Sequence, residues 1–209
     1  MGAAEDTLDA VKEMAAAMEE HRRQLTQLDS AIGDGDHGNN MHRGFQAALE
    51  RLEATDPKTS SDALKAVSMA LIGKVGGAAG PLYGTAFLRA STALSDKEEV
   101  SPEDVAAALD VAVAGVKQRG KAEVGDKTMI DALEPAVKAA KEAASSGKGA
   151  GEVFRVAAEA AREGAETTVP LTARKGRASY LGARAAGHMD PGAYSSYLLL
   201  DAAARSLGA

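Results

Sequence analysis

The spacing of apolar residues constrains this chain more than any single motif does. From about Thr7 to Leu28, Leu8, Val11, Met14, Ala15, Met18 and Leu25 recur near the helical period. The same rhythm predicts a second helix over about Asn40–Leu52, stopping before Asp56-Pro57, and a third over about Ser61–Val75 with Ser and Asp as cap candidates. Pro81 suits the first turn of a fourth helix, where its missing N–H has no partner to lose. Ser101-Pro102-Glu103-Asp104 opens a fifth, running to about Gly120, with acids near the positive end of the dipole. A sixth covers about Thr128–Ala144 despite Pro135, and a seventh about Gly151–Thr167. After an irregular stretch, Thr168–Met189, the last starts near Asp190-Pro191 and runs to the C-terminus. Eight helices joined mostly by short loops predict antiparallel neighbours, an all-α bundle in one domain over residues 1–209.

Composition agrees. Aromatic residues are only 3% and alanine is the commonest residue, which argues against an all-β fold. Alanine-rich faces let helices approach closely but fill a wide centre poorly, so a cavity along the bundle axis is expected. The absence of cysteine excludes disulfides, zinc–thiolate sites, iron–sulfur clusters and a thiol nucleophile, and fits a cytoplasmic location. A net charge of −6 argues against a nucleic-acid or anionic-membrane surface. The opening MGAAEDTLDAVKEM lacks the apolar core of a leader, and no apolar run approaches a membrane span.

The chemistry lies in the loops. Gly33, Gly35 and Gly38 match G-x-G-x-x-G, but a helix precedes them where a dinucleotide fold needs a strand. A calcium loop fails too, because Phe45 stands where a bidentate Glu is required. What remains is Asp29, Asp34 and Asp36 within eight residues. Carboxylates so close favour a cation, and hard oxygen ligands suit Mg²⁺ shared with substrate phosphates, beside the free N–H groups of the helix starting near Asn40. A solvated Asp/Gly turn accounts for the same spacing. Gly76–Gly80 before Pro81 allows close backbone approach of a ligand, or tight helix packing. The basic run Arg174-Lys175-Gly176-Arg177 suits an anion, or a solvated loop.

Together, Asp29…Gly33-Asp34-Gly35-Asp36-His37-Gly38-x-Asn40-Met41, Gly76-Gly77-Ala78-Ala79-Gly80-Pro81-Leu82-Tyr83-Gly84-Thr85, Gly125-Asp126-Lys127-Thr128-Met129-Ile130-Asp131 and Gly176-Arg177-Ala178-Ser179-Tyr180-Leu181-Gly182 resemble the L subunit of dihydroxyacetone kinase. The resemblance spans nearly the whole chain. It implies an eight-helix barrel with Mg–nucleotide in the loops at one end, and a phosphotransferase activity. By motif match, Asp29, Asp34 and Asp36 would hold two Mg²⁺ ions, and His37, Gly38, Asn39 and Asn40 would contact ADP or ATP. Ala78 and Ala79 would lie at the phosphates and Gly120 and Met129 near the base, with Arg177, Asp190, Pro191 and Gly192 closing over the nucleotide and Arg177 acting in catalysis.

The implied partners are a K subunit holding the triose and, in the phosphoenolpyruvate-linked branch, a phosphotransferase-system protein that rephosphorylates bound ADP. In the family the L subunit can also contact a transcription regulator. A free-standing 209-residue chain favours the phosphoenolpyruvate-linked branch, while an exchanging-ATP kinase for dihydroxyacetone or erythrulose stays open. One departure is Ala79, where the family commonly has Ser, so a hydroxyl contact to phosphate is lost. A nucleotide domain of a fatty-acid kinase is a competing reading, disfavoured by length. A non-catalytic helical ligand-binding or regulatory protein is another, in which Mg²⁺ would not affect nucleotide binding.

Overall fold

Helix caps and apolar stripes along the chain give the helices that the periodicity predicts. The computed structural model describes residues 3–209. It contains α1 (Ala3–Glu20), α2 (Arg22–Ile32), α3 (His37–Thr55), α4 (Ser60–Lys74), α5 (Ala79–Ala93), α6 (Pro102–Gly120), α7 (Met129–Ser145), α8 (Ala150–Thr167) and α9 (Pro191–Ser206), with a 3-10 helix at Arg177–Ala185. No strand occurs among the described residues. Ser101 and Asp104 cap α6 reciprocally, with Pro102 in the first turn and Lys117 and Arg119 near the negative end of the dipole. Thr59, two residues before the expected start, caps α4 by accepting from Asp62 N–H at 3.0 Å.

Two expectations need correction. The first predicted helix is two: His21 bends the backbone (φ −93°, ψ 5°) between α1 and α2. The ladder continues across the bend, from His21 N–H to Ala17 O and from Leu25 N–H to His21 O. No glycine or proline marks the place; burial of Leu25, Asp29 and Ile32 from α2 sets its direction instead. The irregular stretch likewise contains the 3-10 helix, whose Ala178, Leu181 and Ala185 join Ala173 around Ile32 in a small separate core.

Around the ring, each of α3 to α9 packs on the next, and α1 packs on both α3 and α9, closing a circuit of eight helices. α2 lies outside it, against α3 and α9. Pro135 is accommodated inside α7, where it removes the usual partner of the Asp131 carbonyl. Gly164 of α8 comes so close to that carbonyl that a Cβ would lie 2.3 Å away.

Met18, Leu25, Met41, Phe45, Leu71, Ile130 and Val153 are fully buried. Each such side chain contributes roughly 1.5–3 kcal/mol on removal from water. The centre is incompletely filled, as the alanine-rich faces predict: an apolar cavity of about 230 Å³ is lined by residues including Val11, Leu64, Phe87, Leu133, Phe154 and Leu199. Tyr83 and Met129 also line a second cavity, at the end of the ring. No helix among the described residues is long and apolar enough to cross a membrane.

Candidate functional site

The N-termini of α3, α5, α7 and α9 contribute to the second cavity, of about 390 Å³. Each brings a partial positive charge and backbone N–H groups. The cavity is therefore electrostatically suited to anions before any side chain is counted.

Three carboxylates stand on one side. One oxygen from each of Asp29, Asp34 and Asp36 lies within 4.8 Å of the others. Asp29, in the last turns of α2, is only 9% exposed. Its Oδ2 accepts from Asp36 N–H at 2.8 Å and His37 N–H at 3.1 Å, so a residue of α2 caps α3. Gly33 is required here, because a Cβ would lie 2.1 Å from Asp29 Oδ1. Asp36 stands at the N-cap but has helical dihedrals and makes no capping bond, which leaves its carboxylate available. Asp34 pairs with the Arg177 guanidinium. A set of three hard oxygens, one held by two N–H groups, suits a Mg²⁺-type cation.

Behind the carboxylates, His37 Nε2 lies 2.9 Å from Ser195 Oγ, which is 2.7 Å from the Tyr83 hydroxyl. That hydroxyl also meets Ser196 Oγ at 2.9 Å and Gly192 O at 3.1 Å. Burial lowers the His37 pKa, against the raising influence of Asp29 and Asp36. Burial also pushes the Tyr83 phenol up to about 12. The network thus ties the N-terminal turns of α3, α5 and α9 together behind the carboxylates.

Ala78 and Ala79 begin α5 after Gly77, whose φ of +65° turns the chain into the helix. No side chain caps this terminus, and Ala78 has helical dihedrals. Leu82, Val116, Met129 and Ile130 give the cavity an apolar wall beside Gly120. Asp190 caps α9 by accepting from Ala193 N–H at 2.8 Å. Burial pushes its carboxyl up to about 7; the Ala193 bond and Lys127 oppose the rise, and Asp131 and Asp29 add to it.

Of the residues singled out from the sequence, Asp29, Asp34, Asp36, His37, Asn40, Ala78, Ala79, Gly120, Met129, Arg177, Asp190, Pro191 and Gly192 line this one cavity. Gly38 and Asn39 do not. Gly38 is buried at the α2–α3 crossing, where a Cβ would lie 2.0 Å from Arg22 O. The Asn39 side chain turns away to accept from Arg22 Nε at 2.8 Å. Tyr83, Arg119 and Lys127 line the cavity without having been assigned roles. Tyr83 and Lys127 lie in motifs quoted above, but their partners lie 41 to 113 residues away along the chain.

A model of the DAK2 domain matches residues 31–205. The ADP-binding subunit DhaL of a PEP-dependent dihydroxyacetone kinase of Listeria innocua is 42% identical over 194 residues, covering 91% of this chain and 89% of that protein. The corresponding Escherichia coli subunit is 42% identical over 176 residues, with 84% of each chain covered. Among solved structures, the dihydroxyacetone kinase from C. freundii in complex with AMP-PNP and Mg²⁺ superposes with a TM-score of 0.73 at 27% identity. That match covers 96% of this chain, which spans about a third (33%) of the C. freundii chain. On the extent of the domain match and the identity to relatives of its own length, the chain belongs to the DAK2-domain family.

Proposed function

We propose that this chain is the nucleotide-binding, phosphoryl-transferring subunit of a dihydroxyacetone kinase. Its ADP would stay bound and be rephosphorylated in place by a phosphotransferase-system protein. The observation that carries this reading is the convergence of three carboxylates with two helix N-termini, those of α3 and α5, left uncapped by their own N-cap side chains. The relatives of its own length, described as ADP-binding subunits of PEP-dependent kinases, support it.

Asp29, Asp34 and Asp36 are the residues that would hold Mg²⁺, as two ions. The metal supplies neutralisation of charge on the phosphates. The rest of the chemistry belongs to the chain. Asp29 is already aimed by two N–H groups, so little reorganisation is needed on metal binding. Backbone N–H groups in the first turn of α5, at Ala79 and Gly80, would donate to phosphate oxygens. The wall of Leu82, Val116 and Met129, with Gly120, would exclude water from the base. Arg177 would stabilise charge developing on the transferred group. Asp190, Pro191 and Gly192 would close the site, and His37 would position the metal loop. The triose would sit on a separate K subunit, so no residue here acts as its base; contact with a transcription regulator and a cytoplasmic location belong to the same reading.

Native mass spectrometry of the dialysed protein tests it. An ADP–Mg²⁺ adduct lost on chelation is expected. A bare protein that binds Mg–ATP only when supplied would replace the resident nucleotide with an exchanging one. A protein that binds neither would overturn the reading in favour of a non-catalytic one. With the K subunit present, Arg177→Ala should slow transfer about 100-fold while the thermal midpoint barely moves; an unchanged turnover rate would remove Arg177 from the chemistry.

A further inference from the structure

The strap between α8 and α9, which carries Arg177, is closed at its base by one buried cation. Lys127 is 1% exposed. Its φ of +62°, in the left-handed region, belongs to the turn just before Thr128, the N-cap of α7. From there Nζ donates to Thr168 O at 2.5 Å, reaches Val169 O at 3.5 Å, and donates to His188 O. The three carbonyls come from both ends of the strap: two follow the last turn of α8 and the third lies two residues before Asp190. Around them, Gly187 N–H donates to Val169 O at 2.8 Å and Asp190 N–H to Thr168 Oγ1 at 3.0 Å. The same turn holds the outgoing limb, because Arg174 N–H donates to Asp126 O at 3.0 Å. Arg177 follows three residues later.

A buried ammonium without a hydrogen-bonded carboxylate is an expensive way to fill space. Among the described residues no carboxylate bonds Lys127; Asp190 and Asp131 act on it only through their field. A Met of similar length would fill the volume without the desolvation cost. What only the ammonium does is converge three carbonyls, two of them at the negative end of α8.

We infer that Lys127 is a positioning residue for phosphoryl transfer: by clamping the neck of the strap from the α7 capping turn, it sets where Arg177 stands over the metal loop. The strap turns at glycines with positive φ, Gly176, Gly182 and Gly187, and rests on Ile32 of α2. With the neck fixed and the tip seated, Arg177 meets Asp34; with the neck loose, the small contact on Ile32 and the single Arg174–Asp126 backbone bond remain to hold it. The assignment rests on the role proposed above for Arg177.

The chain has no cysteine, which gives a clean test by removal and chemical restoration. Lys127→Cys introduces a unique thiol. Alkylating it with 2-bromoethylamine in denaturant, with release of bromide, and then refolding restores an ammonium at nearly lysine length. In the unalkylated variant, amide hydrogen exchange over residues 171–189 should accelerate at least tenfold, with α3 to α6 unchanged. Turnover with the K subunit should fall at least tenfold, with the Mg–ADP dissociation constant moving less than threefold. Aminoethylation should bring exchange and turnover back to within threefold of the unmodified protein. Unchanged strap exchange in the folded thiol form would overturn the clamp. Loss of the whole fold, or equal losses of nucleotide affinity and turnover, would make Lys127 a general structural residue and overturn the positioning role. Faster strap exchange in a protein that binds no nucleotide would leave the clamp standing while removing its catalytic meaning, which separates this inference from the function it rests on.

Discussion

Four helix N-termini contribute to one cavity, yet α7 and α9 are finished by their own caps and α3 and α5 are not. Thr128 and Asp131 form a capping box on α7, and Asp190 caps α9. Both N-caps, Thr128 and Asp190, have extended dihedrals, which let a side chain fold back onto the first turn. At α3 the residue in the same position, Asp36, has helical dihedrals and makes no capping bond, and at α5 Ala78 has no side-chain acceptor to offer. Asp36 is among the best capping residues by type, so backbone conformation, not residue identity, withholds its carboxylate from the helix. The self-capped termini build walls; at α3 the cap comes from Asp29 of α2, which leaves the Asp36 carboxylate free for a ligand, and α5 is left open.

Removing a carboxylate of the metal loop should break this contrast most severely. Asp36→Asn, or Asp34→Asn, should reduce phosphoryl transfer at least 1,000-fold in a coupled assay with the K subunit, with helical circular dichroism unchanged. Retained activity would refute the metal assignment. On the capped side the effect should fall on stability instead. The Asp190 carboxyl is raised from 3.8 to about 7 in the folded protein. Its proton is therefore bound more tightly folded than unfolded, and the stability it contributes at low pH is lost as pH rises from about 4 to about 7. Asp190→Asn keeps a capping oxygen without titrating. The metal-free variant should escape this decline and be more stable than the parent at pH 8, by on the order of 2 kcal/mol in urea titrations. Parallel pH profiles for the two proteins would contradict the burial of that carboxyl.

A milder change sharpens the same comparison. Thr128→Ala removes one bond of the box and should cost about 1 kcal/mol of unfolding free energy, with Mg–ADP affinity within threefold of the parent. A large affinity loss would place Thr128 among the ligand groups rather than the walls. The smallest effect belongs to Ala79→Ser, which restores a hydroxyl at an open terminus. It should tighten Mg–ADP binding severalfold by calorimetry, and equal dissociation constants would dispose of the idea.

Much of the site was legible in the sequence because its parts are local. Asp29, Asp34 and Asp36 are close along the chain, and the Gly33 and Gly35 turn folds them together whatever the rest does. The cap of α6 was readable for the same reason, since it is a short-range exchange of side-chain and backbone bonds. The bend at His21 was not, because continuing the helix there violates no local rule and only the burial of Leu25 and Ile32 redirects it. Gly38 and Asn39 fit the motif, but the approach of α2 turns one into a crossing point and occupies the side chain of the other.

The sequence by itself determined most of the helices, their packing as antiparallel neighbours about a thinly filled centre, and the carboxylate loop. Those features follow from periodicity, caps and spacing within a few turns of chain. Only the tertiary structure decided which helix ends meet, which stay open, and that Lys127 reaches the neck of the strap. Those outcomes depend on contacts between residues far apart in sequence, such as Lys127 with Thr168 and His37 with Ser195, whose partners no local pattern names.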